Sequence, residues 1–250
     1  IFVTGDAGKA IARFRFNAWA KYPNWKNDAK NPERAAKALE VPLLPVAHGG
    51  REVVLEGGSI DVNGRGTILT TEECLLDPAV QVRNPGFARE DYEAVFAAAL
   101  GAPNTIWLGK GIAGDDTDGH VDDLARFIDE RTIVTAVETD PSDENFKVLA
   151  ENRKRLDRVR DQAGLPFTIV ELPMPRPIVH EGMRLPATYV NFSFVNGALL
   201  VPTFGDRERD GVALRILRHV LPGRKVVGVD CRALIWGLGA IHCLTQQQPR

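Results

Sequence analysis

A unit of strand, polar loop, amphipathic helix and returning strand recurs along this chain, and it narrows the possible folds more than any other feature. GTILTTEECLL leads into AREDYEAVFAAALG and then TIWLG. The order returns as RTIVTAVETD, ENFKVLAENRKRLDRVRDQAG and PFTIVELP, and again as GALLVPTFGD, RERDGVALRILRHVLPG and KVVGVDC. The starts at Thr67, Arg131 and Ala198 lie about 65 residues apart, which is the signature of repeated supersecondary modules. In the first helix Tyr92, Val95, Phe96, Ala99 and Leu100 share one face at 3.6-residue spacing, and Gly101 ends it. Neither such a helix nor a small sheet can bury its apolar face alone, so the modules are expected to pack on one another. The same elements could also build an ordinary layered α/β sheet. The first 60 residues are less regular. ERAAKALE (33–40) reads as a short helix, and REVVLEGGSIDVNGRGTILTT as two strands joined at Asn63-Gly64.

Composition excludes several function classes. The 250 residues are 44% apolar and 26% charged, an ordinary globular balance. Basic residues number 31 against 33 acidic, so there is no broad basic face for nucleic acid. No apolar run approaches the roughly 20 residues needed to span a bilayer. Three scattered cysteines, Cys74, Cys231 and Cys243, do not make a disulfide framework, and a reducing, cytoplasmic setting is expected. The chain opens IFVTGDAG without an initiator Met, as though inside a structure.

The densest polar stretch is GDDTDGHVDDLARF (114–127), where Asp115, Asp116, Asp118, Asp122 and Asp123 surround His120 and meet only Arg126. A solvated acidic loop is one reading, but it does not explain the His and Gly inside the run. Carboxylates flanking an imidazole favour imidazolium, the form a general acid needs, and they suit a cationic substrate, above all a planar guanidinium. The spacing Asp116-x-Asp118-Gly119 puts the Gly too early for a calcium loop, and no CxxC, HExxH or second paired His accompanies His120-x-Asp122, so no metal is expected. GKGIAG (109–114) matches a dinucleotide-binding spacing, but no helix is expected after it and the adjacent acidic run would repel a pyrophosphate.

The C-terminal stretch WGLGAIHCLTQQQPR supplies a second candidate. Cys74 and Cys231 read as small buried hydrophobes. Cys243 follows Gly237 and Gly239, which permit a tight turn able to expose its thiol, and a thiolate attacks an sp² carbon without a metal when a cation stabilises it. His120 is the expected partner. If this stretch is a strand, His242 points away from Cys243 and is structural. In LEGGS (55–59), Glu56 precedes paired glycines and could be a plain strand end, or a carboxylate beside backbone left bare for a ligand.

Taken together, LEGGS, ILTTEECLLDP, WLGKGIAGDDTDGHVDD, VNFSFVNGALLVPTFGD, PGRKVVGVDC and GAIHCLTQQQP resemble the agmatine deiminases, within the guanidino-modifying enzymes that include arginine and peptidylarginine deiminases. The resemblance covers residues 16–249. It implies an α/β propeller of ββαβ modules with pseudo-fivefold symmetry, and hydrolysis of agmatine to N-carbamoylputrescine and ammonia without metal or cofactor. It also implies Cys243 as nucleophile, His120 as general acid/base, Asp122 as a carboxylate binding the guanidinium, Glu56 as the residue orienting His and substrate, and Asp116 as a further contact. A homodimer is a further expectation. Ala240 stands where many members have a polar Asn. The family carries a W-x-R-D-x-G-P segment before the position matching Ile1, so residues 1–250 are expected to be a single deiminase domain lacking an N-terminal part and one carboxylate. Peptidyl-arginine or free arginine as substrate, or a catalytically impaired fragment that only binds, are the alternatives.

Overall fold

The computed structural model describes residues 1–80 and 82–249. Four three-stranded sheets follow one another along the chain, each built the same way. In the second, Asp61–Val62 pairs antiparallel with Thr67–Thr71, which pairs in parallel with Asn104–Leu108 across helix Arg89–Leu100. The third sets Ala125–Phe127 against Thr132–Val137 and returns through helix Asn145–Leu156 to Thr168–Pro173. The fourth joins Ser193–Val195, Ala198–Thr203, helix Arg207–Val220 and Lys225–Asp230. Each parallel pair needs a long crossover, and the amphipathic helix provides it. The chain therefore makes separate ββαβ units, and among the described residues no sheet exceeds three strands, which removes the alternative of one layered sheet.

The first unit is one that the residues did not announce. Phe2–Gly5 and Gly8–Arg13 form the hairpin, helix Asn31–Leu39 the crossover, and Leu43–Pro45 the parallel strand. Its strand-to-helix connection is long and irregular, with Ala18, Trp19 and Ala20 all at positive φ, which masks the period. The two strands expected around Asn63-Gly64 exist, but the turn is wider: the Asn63 side-chain oxygen accepts the backbone N–H groups of both Arg65 and Thr67.

The predicted helix faces hold. Tyr92, Val95 and Phe96 are buried, with Ala99 and Leu100 packed at the edge of the same cluster. The middle strand Thr67–Thr71 is buried along its whole length because its sides face different cores. Ile68 belongs to the cluster shared with Phe14, Val53, Tyr92 and Trp107, while its neighbour Leu69 joins the larger cluster of the third and fourth units. In the fourth unit Asp210 sits inside the helix but is satisfied: it accepts from the Tyr189 hydroxyl at 2.7 Å and from the backbone N–H groups of Phe204 and Gly205. Removing that hydroxyl by Tyr189→Phe leaves the two backbone donors, so the cost should be about 1–2 kcal/mol, or about 3–6 °C of melting temperature for a chain of this size by calorimetry.

Candidate active site

The segments that enter the first strand of successive units converge. Glu56–Ser59 precedes Asp61, His120–Asp123 precedes Ala125, and Asn191 precedes Ser193. The turn His242–Leu244 packs against the first of these. Between them lies a cavity of about 800 Å³, lined by Glu56, His120, His242 and Cys243, with Phe16, Trp19, Tyr22, Leu234 and Leu238 among its apolar walls.

Glu56, His120 and Asp122 are all buried, and each offers an atom with no partner: Glu56 Oε1, His120 Nε2 and Asp122 Oδ1. Unpartnered buried polar atoms are costly; Glu56 and His120 bring two of them to the cavity wall, and Asp122 Oδ1 lies behind, 4.0 Å from His120 Nδ1, which marks a place built for a polar guest. The geometry depends on Gly58, where a Cβ would lie 2.5 Å from His120 Nδ1 and 2.9 Å from Asp122 Oδ2. Gly58 thus leaves room for the protein's own His120 and Asp122. Burial alone would raise the Glu56 carboxyl, but His120, with Nε2 3.6 Å from Oε2, and the Arg83 guanidinium outweigh it and hold it below the ordinary range. Arg83, 2% exposed, lies 2.7 Å from Glu56 Oε2 and also donates to the carbonyls of Cys74 and Thr117.

The acidic run is a folded element, not a solvated loop. Asp115 accepts from the backbone of Thr117 and Gly119 and from that of His120, while Asp122 and Asp123 are buried. Asp122 Oδ2 meets His242 Nδ1 at 2.7 Å and Cys243 Sγ at 3.6 Å. Burial would raise this carboxyl, yet His242, then His120 and Arg126, bring it below its ordinary value. Its neighbour Asp123 is driven the other way by burial and by repulsion from Asp122 and Asp115. One carboxylate of the adjacent pair is thereby kept charged beside the sulfur.

Cys243 is the one exposed cysteine, while Cys74 and Cys231 are buried as expected. Burial of its sulfur and the charges of Asp122 and Asp123 push the thiol far above the usual range. The strand argument that set the two histidines apart does not hold. Residues 242–244 form a 3-10 turn, so His242 and Cys243 both reach Asp122 instead of facing opposite ways. Gly239 is needed for contact more than for turning: a Cβ there would lie 2.8 Å from Cys243 Cβ, whereas the left-handed residue of the turn is Leu238. Ala240 is buried in the apolar core, so packing fills its position.

Asp116 lies on the cavity wall, but its carboxylate is engaged by Lys21 Nζ at 2.8 Å and the Tyr22 hydroxyl at 2.6 Å. It fastens the aromatic segment that carries Trp19 and Tyr22. Asp116→Asn should loosen that segment, seen as trypsin cleavage after Lys21 accelerated by about three- to fivefold, the size of an exposed ion pair. The reading from sequence missed Arg83, Asn191 and His242 as parts of this site; Asn191 and His242 lay inside motifs singled out, VNFSFVNG and GAIHCLTQQQP, and Arg83 did not.

Two sets of ligand-type groups lie within metal-binding reach, Glu56 with Cys74 and His120, and Asp122 with Asp123 and Cys243. In the first set Arg83 already occupies Glu56 Oε2 at 2.7 Å, which leaves Oε1 as the one unpartnered oxygen of that carboxylate. A depressed carboxyl stabilises the fold above its unfolded pKa and loses that contribution as pH falls through the folded value. Stability should therefore decline as pH drops below 4.5, the ordinary glutamate value. Arg83→Met should cost about 3 kcal/mol at neutral pH in urea unfolding, because it leaves a buried charge unpaired.

Comparison with known proteins gives this geometry a family. The model of the Porphyromonas-type peptidyl-arginine deiminases matches residues 1–249. An agmatine deiminase of Stutzerimonas stutzeri is 39% identical over 99% of this chain and 72% of its own. The structure of the Enterococcus faecalis agmatine deiminase superposes with a TM-score of 0.88 at 30% identity, over 97% of this chain and 70% of that one. A cysteine-to-serine agmatine deiminase of C. jejuni with substrate bound gives 0.84 at 35% identity, over 94% and 67%. The chain belongs to the Porphyromonas-type peptidyl-arginine deiminase family.

Proposed function

We infer that this protein hydrolyses the guanidinium group of agmatine, releasing ammonia and N-carbamoylputrescine through a covalent intermediate on Cys243. The observation that carries the choice of substrate is the charge of the cavity wall. Asp28, Glu56 and Asp116 line it, and no Lys or Arg does among the described residues. Agmatine carries a cation at each end and no carboxylate, whereas free arginine would bring a carboxylate with no arginine or lysine of the wall to meet it. The relatives named above, agmatine deiminases by name, support the same reading. The four units, each of the same ββαβ build, support reading the architecture as a propeller around this cavity.

A guanidinium is a poor electrophile because its charge is spread over three nitrogens. The unpartnered oxygens of Glu56 and Asp122 are suited to localise that charge and to hold the central carbon against the sulfur, an orientation effect worth several kcal/mol. The docked cation also supplies the opposite charge that Cys243 lacks, so its proton is released as substrate binds. The sulfur attacks the carbon, His120 protonates the departing ammonia, and a thiouronium remains. A water that gives its proton to His120 then adds to the carbon and expels the thiolate. His120 Nε2, buried and without a fixed partner, is free for both transfers.

Cys243→Ser should fold normally and lose at least about a thousandfold in ammonia release from agmatine. Equal activity on arginine or an arginyl peptide would overturn the choice of substrate, and substantial activity in the variant would overturn the nucleophile. Because the free thiol is held protonated, a cationic haloacetamidine should inactivate the enzyme at neutral pH about a hundredfold faster than neutral iodoacetamide, measured as loss of ammonia release.

A further inference from the structure

Asn191 has no assigned part in the reaction, yet its side chain touches more of the nucleophile segment than any other. Its Nδ2 donates to Cys243 Sγ at 3.1 Å and to Asp123 Oδ1 at 2.9 Å. Its Oδ1 accepts from the backbone N–H of His242 at 2.9 Å and of Cys243 at 3.3 Å, and its own carbonyl accepts from His242 N at 3.1 Å. Two backbone donors on one side of the amide and a carboxylate on the other define which end is oxygen and which is nitrogen. Asn191 itself is fully buried, so no water competes for these bonds.

The consequence is chemical as well as positional. Around the sulfur, Asp122 and Asp123 are acidic and destabilise a thiolate, whereas the Asn191 amide favours it, with help from the backbone of Ala240. A buried amide donor aimed at an atom that gains negative charge works like an oxyanion hole, here for sulfur. Asp123 is what keeps the amide turned this way. Its carboxyl accepts the second N–H at 2.9 Å and so fixes the amide's orientation toward the sulfur.

We propose that Asn191 is a catalytic residue that stabilises the Cys243 thiolate through its Nδ2–H, with Asp123 as the positioning residue behind it. The proposal rests on Cys243 being the nucleophile assigned above, and its test separates the two readings. Asn191→Asp keeps an acceptor for the two backbone N–H groups but removes the donor. Asn191→Ala removes the donor without adding charge. Alkylation of Cys243 by iodoacetamide at pH 9, followed by mass spectrometry of the peptide that contains it, reads the thiolate without any substrate. Both variants should alkylate about tenfold or more slowly, and kcat on agmatine should fall by about 100-fold with KM changed less than about threefold, the pattern of a lost donor to developing charge. A folded variant of either kind that alkylates at the wild-type rate overturns the proposal. If Asn191→Ala fails to fold, Asn191→Asp alone decides it. Should the wild type release no ammonia from agmatine, the reading of function fails while the alkylation rates still judge Asn191.

Discussion

The site turns on one fully buried carboxylate. Asp122 has no exposure to water, and its charge survives only because His242 bonds Oδ2 directly while His120 and Arg126 lie near. Burying such a charge costs several kcal/mol unless partners surround it, so the neighbouring elements are arranged to supply them. His242 comes from the C-terminal turn, His120 from the same entry segment, and Arg126 from the strand that follows. Arg126 is itself tied across units, to Asp61 at 2.8 Å and to the Phe192 carbonyl at 3.0 Å. The carboxylate that reaches the sulfur is therefore wired into three of the four units.

This wiring follows from the repeat. The second, third and fourth units each begin with a segment that enters a short edge strand, and these equivalent segments meet on one side of the packed sheets. A residue at that position in one unit faces its counterparts in the next. Glu56, the His120–Asp122 pair and Asn191 occupy such places, although they lie far apart in sequence. Repetition of a module thus brings together polar groups that no single module could bury, and the middle strands behind them are buried on both sides to give a rigid floor.

Much of this was legible in the residues, for identifiable reasons. The second, third and fourth units announced themselves because their helices follow their strands closely and their apolar positions keep a clean period. The first did not, since its helix comes only after a long segment with three consecutive left-handed residues. Cys243, His120, Glu56 and Asp122 stood out as chemistry-bearing types in Gly-rich or acidic settings. Arg83 lay in an unremarkable loop, and nothing in its neighbours signals that it folds back onto Glu56. His242 was assigned by strand alternation, a rule that fails in a 3-10 turn. For Asp116 the residue type was informative, but its partner, Lys21, sits in the segment whose conformation could not be read.

The arrangement around Cys243 has a thermodynamic logic of its own. Asp122 raises the thiol, and in the proposed reaction it also attracts the guanidinium, so binding of the cation and loss of the thiol proton would be linked equilibria. Whatever the cation gains from a thiolate beside it, the thiolate gains equally from the cation. Without a cation beside it the raised thiol would be a poor nucleophile in the proposed reaction, although Cys243 is exposed enough to be reached. Only a ligand that is both cationic and planar enough to meet the carboxylates cancels the penalty, which makes nucleophilicity itself a test of the substrate. A permanently low thiol pKa would give a faster sulfur toward any electrophile and discard that selectivity. The Asn191 donor sits within this balance, strong enough to hold the thiolate once formed and too weak, against two neighbouring acids, to create it alone.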